Sequence, residues 1–340
     1  MKIGIVGYQG SGKSSLFEWV TGETADPSLA HATQTAMATV PEPRVAQLCE
    51  IYQPKKVTLA SLEIVDTPGL SRTHEGNAAK LAMIREAGCL VMVVGAHQGV
   101  DADTDLNNFE DDLLMADLEV VSGRVERLRE SVKKPRPNQD EQIKELEALE
   151  PLLVALEQGK PLREIELNSE QARAIRSFQL FSEKPRMVVI NIADDAIPSE
   201  IDPASIDRER CFIVSLGLQR DLAQMGEEDR ADFCAEMGVE VVVPECLIRQ
   251  MMDVSEQMLF FTAGDKEVRT WMLPKGGTAV EAAGNIHTDL AQGFIRAETM
   301  NCEDLIRLGS EREVKAQNLV RREHRDYVIQ DGDVITIQHN

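Results

Sequence analysis

Long apolar runs are missing from this chain of 340 residues, so neither a membrane-spanning helix nor a secretory signal is expected. Closely spaced cysteines are missing too. Cys49, Cys89, Cys211, Cys234, Cys246 and Cys302 form no C-x-x-C pair, which argues against zinc and points to reduced thiols in a cytosol, most of them expected to be buried. Positive charge is scarce: 36 basic against 58 acidic residues give a formal net charge of −22. The molecule as a whole therefore repels nucleic-acid phosphate, DNA binding is not expected, and RNA contact needs a local patch. Two stretches qualify, Lys133-Lys134-Pro135-Arg136-Pro137 and the run from Arg312 to Arg325 with Lys315, Arg321 and Arg322. Each reads equally well as a solvated face.

Against these absences stands one strong motif. The apolar run Ile3 to Val6 leads into Gly7-Tyr8-Gln9-Gly10-Ser11-Gly12-Lys13-Ser14-Ser15, which fits G-x-x-x-x-G-K-[ST], the phosphate-binding P-loop. Glycines let successive backbone N–H groups curl around an anion, and the helix that follows adds the partial positive charge of its N-terminus. Lys13 is expected to reach the β- and γ-phosphates and Ser14 to ligate Mg²⁺. A glycine-rich turn with a chance Lys-Ser is the bland alternative, and the flanking strand together with the amphipathic Leu16-Phe17-x-x-Val20 continuation argues against it.

A second motif follows in the right order. Asp66-Thr67-Pro68-Gly69 closes the apolar run Leu62 to Val65, where an aspartate is expected to hold Mg²⁺ and Gly69 to offer its N–H to the γ-phosphate. A threonine between the two motifs should complete the metal site; Thr33, Thr35 and Thr39 are candidates, and Thr35 is favoured. Asn191-Ile192-Ala193-Asp194 follows the run Met187 to Ile190 and offers N-x-x-D for base recognition, with Ile192 where a guanine reader places lysine. Ser215, after the next apolar run, supplies the last loop against the base.

The order of elements predicts the architecture. Short apolar runs at Lys2 to Val6, Leu62 to Val65, Leu90 to Val94, Met187 to Ile190 and Cys211 to Val214 alternate with helical patterns, as in a parallel sheet covered by helices. The long gap reads as a helical hairpin. Leu114, Leu118, Val121, Val125, Leu128 and Val132 form one heptad seam; Ile143, Leu146, Leu149, Leu153 and Leu156 form the other, with the basic Pro-containing turn at the tip. From about Phe260 the pattern turns to short alternating strands, Val268 to Leu273 and Val334 to Gln338, around a helix near Ala279 to His287.

Taken with the segments around them, these residues resemble the YchF subfamily of Obg-like NTPases. The resemblance covers nearly the whole chain. It includes Val40-Pro41-Glu42-Pro43-Arg44, Ala116-Asp117-Leu118-Glu119, Gly159-Lys160-Pro161-Leu162-Arg163 and Arg176-Ser177-Phe178-Gln179-Leu180, and is most specific in Phe260-Phe261-Thr262-Ala263-Gly264, Ile286-His287-Thr288-Asp289, Gly293 to Glu298 and Asp326 to Asp333. It implies an α/β P-loop NTPase: a Ras-like G domain over residues 1–108 and 182–256, an inserted helical hairpin over 109–181, and a C-terminal α+β TGS domain of ubiquitin-like fold over 257–340. It further implies Mg²⁺-dependent hydrolysis of ATP or GTP and association with the ribosome or RNA.

Leu70 fits the hydrophobic residue that the family carries where Ras-like proteins place a water-orienting glutamine. Three places depart from the family pattern. Gly10 stands where the family usually has an asparagine, a residue linked in related GTPases to potassium binding and activation, so potassium dependence does not carry over. Asp194 stands where the family usually has glutamate, leaving ATP and GTP both open. The loop after Val94 is shorter and holds His97, a candidate for the family's hydrolysis-assisting histidine; His74 is a second, and a plain exposed histidine is the alternative reading of each.

Overall fold

The computed structural model describes residues 1–29, 31–97, 101–134, 137–196 and 210–340. By packing, the chain divides into two compact units, Met1–Ala36 with Glu63–Val243, and Met37–Leu62 with Pro244–Asn340. The first opens with β1 (Lys2–Val6), α1 (Lys13–Thr21) and β2 (Gln34–Thr39), within which the chain leaves it. The second unit claims α2 (Arg44–Tyr52) and β3 (Lys56–Thr58), and the chain returns to the first within β4 (Ser61–Asp66). Then come α3 (Asn77–Ile84), β5 (Cys89–Ala96), α4 (Ala102–Ser131), α5 (Gln139–Glu157), α6 (Ser169–Ile175), β6 (Arg186–Ile192), β7 (Cys211–Val214), α7 (Leu216–Gln224) and α8 (Glu227–Met237).

Among the described residues, the sheet of the first unit runs β2-β4-β1-β5-β6-β7. The pairings of β1 with β4 and β5, of β5 with β6 and of β6 with β7 are all parallel. Their inner residues are buried on both faces, as Ile5, Val91 and Val189 on one side and Leu90 and Ile190 on the other show at 0 % exposure, which is why these strands read as unbroken apolar runs rather than alternating ones. The register sets Asp66 opposite Ile5, just before the P-loop begins. It also sets Asn191 opposite Gly95 on one side and Val214 on the other. Three chemistry-bearing loops thus leave the same edge of the sheet, where ligands collect in open α/β folds.

The hairpin is built as the two apolar seams predict, with α4 extending further back than 109. Asp101 caps α4 by accepting from the Thr104 N–H at 2.9 Å, and Asp103 and Asp105 in the first turn suit the positive end of the helix dipole. Val121, Val125 and Leu128 interlock with Leu149, Leu153 and Leu156 in one core cluster, closed by Leu162, Ile175 and Leu180. Arg124 clamps Glu145 across the pair at 2.7 and 2.6 Å. Ile143, expected in the seam, stands 37 % exposed near the tip.

The second unit adds α9 (Pro244–Val254), β8 (Gln257–Ala263), β9 (Glu267–Pro274), α10 (Ala279–Ile286), α11 (Thr288–Gln292), β10 (Phe294–Asn301), α12 (Cys302–Leu308), α13 (Glu311–Ala316), β11 (Arg321–Glu323) and β12 (Asp333–His339). Its sheet runs β11-β10-β12-β8-β9-β3. The T-x-x-E spacing of Thr278 and Glu281 forms a capping box that starts α10. Val45 and Leu48 of α2 join the core around Phe261, Val268 and Leu305, and the buried Glu42 carboxylate binds Arg44 at 2.7 Å and Arg249 at 3.3 Å. Residues 37–62, expected within the first domain, pack instead with the C-terminal elements.

No disulfide joins the six cysteines, and only Cys89 and Cys302 are fully buried. That corrects the expectation that most are core residues. Among the described residues no helix is long and apolar enough to cross a membrane.

Candidate nucleotide site

The P-loop turns on glycines that other residues cannot replace. Gly7 has φ 147°, and a Cβ there would meet the Val93 carbonyl oxygen at 2.4 Å; Gly12, with φ 103°, would meet Asn191 Nδ2 at 2.4 Å. Gly10 differs. Its φ is 80° but a Cβ would meet nothing within 4 Å, so a residue tolerant of the left-handed region fits there without a clash.

Helix α1 starts at Lys13, whose buried ammonium donates to the Tyr8 carbonyl at 2.8 Å. Burial pushes its pKa down to about 8, only partly offset by Asp66, with Lys80 and Arg72 adding to the depression. Ser14 Oγ donates to Asp66 Oδ2 at 2.7 Å. The other carboxylate oxygen, Asp66 Oδ1, is buried with no partner, as is Ser11 Oγ. Burial raises the Asp66 pKa in spite of its bond to Ser14. A hydroxyl, a paired carboxylate oxygen and an orphaned one meeting at the end of β4 fit a hard cation with oxygen ligands. The described residues contain no cluster of three or more His, Cys, Asp or Glu side chains fit to hold a metal.

The second motif is stitched to the first. Leu70 N–H donates to the Gly7 carbonyl at 3.1 Å and Gln9 N–H to the Leu70 carbonyl at 3.0 Å, while the Leu70 side chain, 0 % exposed, lies in the core with Tyr8 and Phe109. Lys80 Nζ donates to the Gly69 carbonyl at 2.8 Å. A pocket of about 450 Å³ opens over this floor, lined in part by Gln9, Gly10, Lys13, Ser14, Ser15, Asp66 and Gly69.

On the base side, Asn191 Nδ2 donates to the Ser11 carbonyl at 3.1 Å and its Oδ1 accepts from Leu216 N–H at 3.1 Å. Asparagine thus braces the P-loop against the start of α7. Asp194 accepts from Ser215 Oγ and from Leu218 N–H at 3.0 Å, so this carboxylate is held at the N-terminus of α7.

Thr35 is not brought to the pocket. It stands exposed on β2, and among the three threonine candidates none lines the cavity. Of the histidines, His97 Nδ1 lies 3.4 Å from the Asn191 carbonyl and His74 Nδ1 lies 3.0 Å from Asp112 Oδ1; neither lines the pocket. Sequence reasoning missed Arg220, Glu18, Asp26, His31 and Gln34, all of which do. Arg220 carries no motif; its place follows from α7 lying beside α1. Of the basic stretch at the hairpin tip, Pro135 and Arg136 lie outside the described residues and Lys133 pairs with Glu130. In the C-terminal run Lys315 pairs with Glu311, Arg321 with Asp333 and Arg322 with Glu298.

Residues 2–121 match the model of a family described as 50S ribosome-binding GTPase. The chain is 32 % identical over 362 residues to the "Ribosome-binding ATPase YchF" of Escherichia coli O157:H7, covering 100 % of this chain and 99 % of that protein. The chain belongs to the YchF family. "Obg-like ATPase 1" of Oryza sativa subsp. japonica is 33 % identical over 367 residues, covering 100 % of this chain and 92 % of the relative. Residues 258–340 match the YchF-GTPase_C model, described as a protein of unknown function. The solved structure titled "Structure of the Schizosaccharomyces pombe YchF GTPase" superposes with a TM-score of 0.83 at 25 % identity, covering 99 % of this chain and 97 % of that one. The YchF-like P-loop GTPase fold expected from the sequence is the fold found.

Proposed function

We propose that this YchF-family chain is a slow, Mg²⁺-dependent purine-nucleoside triphosphatase whose nucleotide state governs association with the ribosome. The observation that carries the reading is the Ser14–Asp66 pair at 2.7 Å with Asp66 Oδ1 unpartnered beside a buried Lys13. Gly7 to Ser15 cradle the phosphates, Ser14 and Asp66 hold the cation, and Gly69 N–H faces the γ-phosphate. Bound there, Mg²⁺ supplies neutralisation of charge on the β- and γ-oxygens. Lys13 stabilises the charge that builds as water attacks in line. Asn191, Asp194 and Ser215 shape the base side, with ATP and GTP both admitted. Slowness follows from position 70: a leucine turned into the core cannot orient water. The helical insertion and a TGS-like C-terminal module complete the proposed organisation, and the setting is the cytoplasm.

A second reading, a nucleotide-gated binding module without turnover, draws on the same buried Leu70 and on His97 being turned to the Asn191 carbonyl. Phosphate release by highly purified protein separates the two. Release above a Lys13→Ala control supports the hydrolase; tight triphosphate binding with no such release supports the module.

A further inference from the structure

A groove of about 490 Å³ lies between α3 and α4, a volume in the range of binding pockets. Its apolar lining comes from Ala78 and Leu81 on α3 and from Met115, Ala116 and Leu118 on α4, with Met115 61 % exposed. An unbranched, polarizable side chain left in water at that point adapts its shape to an incoming apolar group. Two carboxylates line it, the exposed Glu119 and Asp112, whose side chain is 13 % exposed. Asp112 already seats an imidazole, with His74 Nδ1 at 3.0 Å, and that histidine is 70 % exposed. Its second oxygen accepts from Tyr8 of the P-loop at 2.8 Å. A carboxylate pair repels nucleic-acid phosphate and favours a cation.

We propose that this groove docks a cationic protein segment of the ribosome, one that lays apolar side chains on Met115 and Leu118 and sets a lysine or arginine against Asp112 and Glu119. The inference rests on the ribosome association proposed above and names the face that makes it. The partner's cation displaces His74 from Asp112, which ties docking to the P-loop through Tyr8.

The experiment is co-sedimentation of the full chain with purified ribosomes in the presence of a non-hydrolysable ATP analogue. Glu119→Lys and Met115→Ser, both at exposed positions away from the nucleotide, should each weaken pelleting by about tenfold while leaving ribosome-free phosphate release unchanged. Charge reversal separates the partner classes: a basic protein segment is repelled by Lys at 119, whereas RNA is attracted. Stronger pelleting of Glu119→Lys, or unchanged pelleting of both variants, overturns the groove while the wild-type association stands. A wild-type chain that fails to pellet removes the association and the groove's partner with it.

Discussion

Lys13 offers the sharpest perturbation, because its charge in the empty site is under strain. Burial holds the pKa at about 8 against an ordinary 10.5. From that value, roughly nine-tenths of the empty sites carry the charge at pH 7 and roughly one-tenth at pH 9. Triphosphate oxygens restore the full charge on binding, so complex formation takes up about 0.1 proton at pH 7 and about 0.9 at pH 9. Affinity is therefore expected to fall about elevenfold between the acid limit and pH 9, or about 1.4 kcal/mol. Stability of the empty protein moves the other way. The unfolded lysine keeps its proton up to 10.5 and the folded one only to about 8, so the penalty is full below pH 8 and is relieved as pH rises through that window, by about 3 kcal/mol at most. Titration calorimetry in two buffers of different ionisation enthalpy reads the proton directly. Zero uptake at pH 9, or equal uptake by Lys13→Met at saturating nucleotide, refutes the reasoning.

Asp66→Asn should abolish the Mg²⁺ dependence of hydrolysis and slow it on the order of a hundredfold; it should also raise the melting temperature of the nucleotide-free protein at pH 7, since burial disfavours the Asp66 charge. Metal titration and calorimetric melting check the two halves. Tyr8→Phe removes the 2.8 Å bond to Asp112 and is expected to cost about 1–2 kcal/mol in urea unfolding. Asp117, 0 % exposed, accepts from Arg85 at 2.9 Å and from Ser182 N–H at 2.7 Å; Asp117→Ala leaves a partly buried guanidinium without that partner and should cost about 3–5 kcal/mol in the same assay. Gly10→Asn meets no steric obstacle and is expected to fold normally and, by the link that related GTPases show between that asparagine and potassium, to give phosphate release a potassium-over-sodium preference.

The parts of the site legible in sequence are those whose chemistry is local. A P-loop compresses strand, turn, anion nest and helix start into adjacent residues, so Gly7 to Ser15 announced itself, and a strand ending in Asp66 needed only its position behind that loop. The hairpin was readable for a similar reason: Val121, Val125, Leu149 and Leu153 repeat at the helical period, and the period is the packing. What stayed hidden depends on pairs distant in the chain. Tyr8 and Asp112 are separated by 104 positions and Arg44 and Asp331 by 287, and no local pattern in a single sequence couples such residues. The path of 37–62 into the second unit belongs to this class, since Val45 and Leu48 show an amphipathic helix without showing whose core it faces. Thr35 failed for a further reason. Its type and order suited a cation, but β2 alternates faces with a period of two and puts 36 and 38 inward and 35 outward. Thr33 lies just ahead of the strand, between Ala32 and Gln34, which both line the pocket, so the order of the chain brought this segment to the site while the period of the strand decided which of its side chains faces it.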